Sequence, residues 1–113
     1  MPGDLLVTQM RKGALEYCVL GLLERGPSYG FQLVQDLAEG NGMLTTEGTI
    51  YPLLGRLLRD GSVSTTWQES PSGPPRKYYR LTDDGRNALE RFRQEWAVFR
   101  AGVDRMVGSR QEM

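Results

Sequence analysis

The chain contains no histidine, and cysteine occurs once among its 113 residues, at Cys18. A histidine metal site, a histidine general base and a zinc-binding cysteine cluster are therefore excluded. Cys18 lies in an apolar stretch, which favours a small core hydrophobe over a reactive thiol. The sequence also shows no phosphate-binding loop and no activated nucleophile. We therefore expect no metal, no cofactor and no enzymatic activity.

Net charge and long apolar runs are also lacking. Fourteen basic and fourteen acidic residues cancel, so the overall charge gives no indication of a nucleic-acid partner. No run approaches the roughly 18 apolar residues of a membrane helix, and the N-terminus lacks the pattern of a secretory signal. We expect a cytoplasmic protein with no membrane partner. The length suits one small domain, for which burial of surface between subunits is a common source of stability.

Apolar periodicity predicts three helices in the first sixty residues. The first covers 10–25 and is stopped by a Gly-Pro pair. The second covers 29–39, and we expect Ser28 to cap its N-terminus. The third covers about 48–60. The buried stripe of the third helix is predicted to contain Ile50, Leu53, Leu54, Leu57 and Leu58.

Pro52 constrains where the third helix begins. A proline is tolerated in the first turn of a helix but costs about 3 kcal/mol deeper inside. Thr49 as the N-cap puts Pro52 in the first turn, whereas Thr46 as the N-cap puts it deeper and predicts a kink. We prefer Thr49.

Two short strands follow, over 62–69 and 76–81, with a loop SPSGPP between them. By alternation Val63, Thr65 and Trp67 share one face of the first strand, and Lys77, Tyr79 and Leu81 share one face of the second. We expect Trp67 and Tyr79 to point into the core, and Arg76 to lie on the opposite face. Three helices followed by a hairpin predict a winged helix, a mainly α fold with a small β-hairpin.

A long helix over 83–107, capped by Thr82, completes the pattern. Its apolar residues recur at alternating intervals of three and four, as in a heptad seam. They are Leu89, Phe92, Trp96, Phe99, Val103 and Met106. A single amphipathic helix can pack on its own domain, but three aromatic residues on a helix this long favour packing against a partner helix. Trp96 is either a core residue or part of a ligand cavity.

The charge distribution along the chain shows what the total hides. Residues 42–81 carry five basic and three acidic residues, while residues 1–41 carry three basic and five acidic. The excess falls on the third helix and the hairpin, where a winged helix meets phosphates. Arg56 lies opposite the leucine stripe, on a face suited to guanine edges. Tyr51 lies between the two faces and either bonds a phosphate or packs at the edge of the core.

Three stretches resemble the PadR family of transcriptional regulators, in its small single-domain form. They are the Tyr29-Gly30-Phe31 start of the second helix, EGTIYPLLGRLLRDG at 47–61 and SGPPRKYYRLTDDG at 72–85. An aromatic-rich C-terminal helix follows, as in that family. Leu58 and Ser62 depart from the family's frequent residues without threatening the fold.

The resemblance implies a bacterial repressor that binds duplex DNA as a homodimer and often responds to small planar compounds. It divides the chain into a winged-helix DNA-binding domain at 10–81 and a dimerisation helix at 82–107, and we expect 1–9 and 108–113 to be flexible. The implied DNA contacts are Tyr29, Thr46, Thr49, Tyr51, Pro52, Arg56, Arg76 and Lys77. The implied dimer contacts are Leu15, Leu89, Phe92, Trp96, Phe99 and Val103. The candidate ligand cleft contains Phe92, Trp96 and Phe99.

A competing hypothesis is a winged helix that binds only other proteins, and the neutral overall charge keeps it open. The positions of Arg56, Arg76 and Lys77 on the two DNA-facing elements favour DNA binding instead. An enzyme is the third hypothesis and has no supporting motif. The sequence names neither the operator nor the effector.

Overall fold

Five helices and three strands follow one another along residues 2–40, 43 and 45–108, the part of the chain that the computed structural model describes. They are α1 (Pro2–Arg11), α2 (Leu15–Glu24), β1 (Ser28–Tyr29), α3 (Gly30–Ala38), α4 (Glu47–Arg59), β2 (Val63–Ser70), β3 (Gly73–Leu81) and α5 (Asp83–Val107). The predicted fold class, a mainly helical winged helix with a long C-terminal helix, is confirmed.

The prediction of one helix over 10–25 is wrong. Gly13 has a φ of +81°, a left-handed conformation that a helix does not continue through. The chain therefore turns between α1 and α2, and residues 2–9, which we expected to be flexible, belong to helix α1. Of the predicted C-terminal tail, residues 109–113 lie outside the described residues.

The predicted cap of the second helix is also wrong. Tyr29 occupies the N-cap position of α3, and Ser28 belongs to strand β1. The Ser28 hydroxyl is buried without a hydrogen-bond partner among the described residues. Strand β1 is too short to give a period, which is why alternation did not reveal it.

Helix α4 begins earlier than we preferred, because Thr46 rather than Thr49 is its N-cap. Pro52 is consequently the sixth helical residue, beyond the first turn. The backbone N–H groups of Thr49 and Ile50 both bond the carbonyl of Thr46. The early start therefore adds the exposed residues 47–49 to the helix. Because proline has no N–H, the carbonyl of Gly48 receives no helical hydrogen bond from Pro52.

The sheet has the strand order β1-β3-β2, and both pairings are antiparallel. The predicted strand faces agree with the pairing of the hairpin, in which Val63 pairs with Leu81, Thr65 with Tyr79 and Trp67 with Lys77. The strands extend further toward the tip than predicted, so that the turn is reduced to 71–72 and both prolines at 74–75 belong to β3. A register shift between Gln68 and Ser70 accommodates them, since prolines are tolerated at bulges.

The core lies between α2, α3, α4 and the base of the hairpin. Its buried apolar residues are Val19, Leu20, Leu23, Leu33, Leu37, Ile50, Leu53, Leu54, Leu57, Val63, Tyr79, Leu81 and Leu89. Four of the five residues predicted for the α4 stripe are among them, and Leu58 is the exception, with 37% of its surface exposed. The buried stripe of α4 is therefore narrower than predicted, because α4 packs on the core along one side only.

The start of α5 is joined to the loop after α4 by the predicted cap. The Thr82 hydroxyl accepts a hydrogen bond from Gly85 N at 3.0 Å and donates one to the Gly61 carbonyl at 2.6 Å. The Thr82 N–H donates to the Ser62 carbonyl at 3.1 Å. A Cβ at Gly85 would collide with the same Ser62 carbonyl. This joint therefore fixes the direction in which α5 leaves the domain.

Candidate nucleic-acid interface and subunit contacts

Helix α4 presents an exposed polar face opposite its buried stripe. The exposed residues include Thr49, Tyr51, Pro52, Arg56 and Arg59, and Thr46 is exposed at the N-cap. The predicted DNA contacts of the third helix are therefore all exposed, and Thr49, Pro52 and Arg56 line one groove. Two arginines in its last turns make this surface positive.

Arg56 does not project freely into solvent. Its Nη1 and Nη2 atoms lie 3.2 and 3.1 Å from the Oε1 atom of Glu16 on α2. The side chain of Arg56 remains 46% exposed and that of Glu16 is 22% exposed. This ion pair was missed by the sequence analysis, because 40 residues separate its members.

A groove of about 460 Å³ separates α4 from the junction of α1 and α2. Arg11 and Lys12 line one wall, and Arg56 and Arg59 line the other, so four cations border the groove. Sequence reasoning left Arg11 and Lys12 out of the interface. Their adjacency to Gly13 was the available signal, since a glycine that breaks the helix turns the preceding basic pair back toward α4.

Tyr51 lies against the start of α3. A Cβ at Gly30 would lie 2.5 Å from the Tyr51 ring, so only glycine leaves room for it. Tyr51 nevertheless remains 46% exposed, which places it at the edge of the core with its outer part in solvent. Burial raises the pKa of the neighbouring Tyr79, and the proximity of Tyr51 adds to the effect.

Three cations lie on the hairpin strand β3, and two of them, Arg76 and Lys77, lie on opposite faces, as alternation predicted. The guanidinium of Arg76 lies 4.5 Å from the centre of the Tyr29 ring, and Tyr29 meets Tyr78 edge-on at 5.2 Å. The Lys77 ammonium lies 5.8 Å from the Tyr79 ring on the other face. Strand β1 therefore extends the sheet and also supplies Tyr29, whose ring makes a cation–π contact with Arg76.

The prediction that Trp67 points into the core is wrong. Trp67 shares the face of Tyr79, but it is 67% exposed whereas Tyr79 is 6% exposed. Alternation assigns a residue to a face and does not say how far the core extends along that face. The hairpin continues beyond the helices, so its outer half has no core to cover it.

The apolar seam of α5 changes from buried to exposed along its length. Leu89 is 4% exposed and belongs to the core of its own subunit, so little of its surface is left for a partner. Further along, Trp96 is 43%, Phe99 63% and Val103 42% exposed. Leu15, the predicted contact on α2, packs against the core and is half-buried.

Aromatic rings form a ladder along this seam. Phe92 stacks on Tyr17 of α2 at 4.2 Å and on Trp96 at 5.7 Å, and Trp96 lies 6.0 Å from Phe99. Phe92, Trp96 and Phe99 line a cleft of about 750 Å³. Its other wall is the end of α1 and the turn after it. Trp96 is 43% exposed and lines this cleft, so it is not a core residue of its own subunit.

A second contact holds α5 to α2. Arg93 Nη2 lies 2.6 Å from Glu24 Oε1, and the hydrogen bond from Arg93 lowers the pKa of the Glu24 carboxyl. Together with the Tyr17–Phe92 stack it fixes the first half of α5 on the domain. Burial raises the pKa of the Cys18 thiol, whose sulfur lies 3.8 Å from that of Met43, as expected for a packed and unreactive cysteine.

Neither a metal site nor a membrane-spanning helix is found among the described residues. No group of three or more acidic or cysteine side chains there is arranged to hold a metal ion. No helix there has the length and apolar character required to cross a bilayer.

The chain matches the Transcriptional regulator PadR-like family over residues 19–91. A crystal structure of a PadR-like transcriptional regulator from Bacillus cereus is 37% identical, with a TM-score of 0.80 over 89% of this chain and 98% of that one. A PadR family transcriptional regulator from Eggerthella lenta is 38% identical, with a TM-score of 0.81 over 92% and 90% of the two chains. A PadR-like transcription factor from Bacteroides fragilis is 43% identical, with a TM-score of 0.74 over 88% and 95%. These relatives are transcriptional regulators and not enzymes, in agreement with the sequence analysis, and the protein belongs to the PadR-like family of transcriptional regulators.

Proposed function

We propose that the protein is a repressor that binds a palindromic site in duplex DNA as a homodimer and is released by a small planar aromatic effector. Residues 10–81 form the DNA-binding domain and 82–107 the dimerisation helix. The observation that carries the proposal is the exposed, arginine-bearing face of α4 beside the cationic hairpin. These are the two elements that a winged helix brings to the major groove and the phosphate backbone.

The two elements divide the work of binding. Arginine can fork onto the O6 and N7 atoms of guanine, so Arg56 on α4 is suited to read a base. Thr46, Thr49, Tyr51 and Pro52 are also exposed and supply further contacts. On the hairpin, the Arg76 guanidinium is stacked on Tyr29 and Lys77 adds an ammonium, and both suit contact with phosphates of any sequence.

The dimer is supported by the exposed part of the α5 seam. Large apolar side chains in a contiguous row are costly to leave in water and mark an interaction surface. The row contains Phe92, Trp96, Phe99, Val103 and Met106. A heptad spacing favours a second copy of the same helix as its cover, and a two-fold axis then presents two α4 helices to DNA.

The effector is assigned to the cleft between α5 and the end of α1. Its volume of about 750 Å³ lies within the roughly 300–1,000 Å³ range of small-molecule pockets. The ladder of Phe92, Trp96 and Phe99 offers stacking faces to a flat ring. Binding there alters the surface on which the partner helix packs, and so connects the effector to the spacing of the two DNA-binding domains.

The test is selection of duplexes from a random library by the wild-type protein, followed by binding measurements at physiological salt. We expect a palindrome whose half-sites repeat at about 10 bp or a multiple of it, because a symmetric dimer places its recognition helices about one DNA turn apart. Planar aromatic compounds should weaken binding to that duplex and change the fluorescence of Trp96. Binding of equal strength to every duplex would refute the proposal and favour the protein-interaction alternative.

A further inference from the structure

The Glu16–Arg56 ion pair connects α2 to the exposed face of α4, and neither the core nor the hairpin requires it. We infer that Glu16 is a positioning residue for DNA binding: it holds the Arg56 guanidinium in one direction, so that the arginine reads a base instead of following phosphates. The inference rests on the proposed function, because it concerns how Arg56 is presented to DNA.

The geometry of the pair leaves half of the guanidinium available. Both terminal nitrogens of Arg56 contact the same oxygen of Glu16, at 3.1 and 3.2 Å, so that oxygen lies at the end of the guanidinium, between them. A guanidinium has five N–H donors, and its Nε edge offers a second pair that points to the side. Two parallel donors are what the O6 and N7 atoms of guanine accept. Arg56 is therefore able to bind Glu16 and a base at the same time, as its 46% exposure permits.

Glu16 is itself held in place. Its neighbour Tyr17 stacks on Phe92 at 4.2 Å with the rings 8° from parallel, and Leu15 packs on the core. Its side chain is 22% exposed, half the exposed fraction of its partner. A group that orients another must have few conformations of its own, and Glu16 meets that condition because α2 is fixed on both sides.

Orientation matters more than strength at this site. Exposed ion pairs contribute little to folding, so stability gives a weak reason for this one. A long arginine without a partner reaches phosphates in any sequence, and the groove beside it already contains Arg11, Lys12 and Arg59. A carboxylate bound at the end of the guanidinium limits the directions in which the arginine can point. The Nε edge remains available to bind a base.

The experiment compares Glu16→Ala and Glu16→Gln with wild type on two duplexes, the one selected by wild type and a scrambled duplex of equal composition. For Glu16→Ala we expect the ratio of the two affinities to fall about five-fold, the scale set by the cost of ordering a long side chain. The salt dependence on the scrambled duplex should become steeper by about one unit, because the released arginine adds a phosphate contact. Glu16→Gln keeps an oxygen in place, so its ratio should stay within about two-fold of wild type.

Two controls separate positioning from loss of charge or of fold. In an Arg56→Ala background, Glu16→Ala should leave the ratio unchanged, because the group it positions is gone. Glu47→Ala removes an exposed carboxylate from the first turn of α4 and should shift both affinities equally. Thermal unfolding of each variant is measured alongside.

Three results would overturn the inference. In the first, wild type selects a sequence but Glu16→Ala keeps its affinity ratio, and only this inference fails. In the second, Glu16→Ala lowers the ratio equally with and without Arg56. In the third, wild type selects no sequence at all, and the proposed function fails together with the inference.

Discussion

Replacement of Thr82 by alanine should destabilise the protein by about 2 kcal/mol. Loss of a threonine N-cap costs about 1 kcal/mol, and the Gly61 carbonyl loses a half-buried hydrogen bond that contributes about 1 kcal/mol. The structure requires both terms, since one hydroxyl accepts from Gly85 N and donates to Gly61 O. With about 2.1 cal/mol/K of unfolding entropy per residue, the 113-residue chain should lose about 8 °C in its melting temperature.

Urea unfolding followed by circular dichroism measures this change, at equal protein concentrations because subunit association adds to stability. Thr82→Ser is the matched control, because it keeps the hydroxyl and loses only a methyl group. It should lie within about 0.5 kcal/mol of wild type, the scale of substitutions that remove no special feature. If Thr82→Ala unfolds at the same urea concentration and with the same slope as wild type, the joint between α4 and α5 does not contribute as the hydrogen bonds indicate.

Further predictions concern the two proposed interfaces. Trp96→Asp combined with Phe99→Asp should give a monomer or insoluble protein in sedimentation, because two charges then lie in the exposed seam. Gln94→Asp, on another side of α5, should leave the oligomer intact, and a wild type that sediments as a monomer at micromolar concentration would contradict the dimer. Arg76→Ala should weaken binding to all duplexes equally and reduce the salt slope by about 1. Lys77→Ala should have a smaller effect on both, because the Lys77 side chain starts on the face of Tyr79 and reaches the DNA backbone only through its long stem. A change of sequence preference in Arg76→Ala would show that the hairpin reads bases.

The elements in which a periodic pattern continues over many residues were predictable from sequence. The α5 helix was predicted with its cap and both of its ends, because apolar residues at alternating intervals of three and four run from Leu89 to Met106, and Thr82 is a strong N-cap. The faces of the two hairpin strands followed from alternation alone, and the pairing of Thr65 with Tyr79 agrees with them. The start of α4 was missed because the penalty on Pro52 was given more weight than the cap at Thr46, and the helix accepts Pro52 as its sixth residue.

The sites depend on contacts between distant residues, and these were only partly predictable. The face of α4 followed from its leucine stripe, so the exposed position of Arg56 was expected, but its partner Glu16 was not. The support of Arg76 by Tyr29 requires strand β1, which has two residues and therefore no detectable period. The exposure of Trp67 depends on how far the hairpin extends beyond the helices, a property of the assembled fold that no local pattern contains.

The attachment of α5 to α2 has a geometric consequence for DNA recognition. The Arg93–Glu24 ion pair lies fourteen residues before the end of the helix at Val107, a distance of about 21 Å at 1.5 Å per residue. A tilt of about 10° at that contact displaces the far end by about 4 Å, close to the 3.4 Å rise of one base pair. In the proposed dimer, the spacing of the operator half-sites therefore depends on the angle of a helix that does not itself contact DNA.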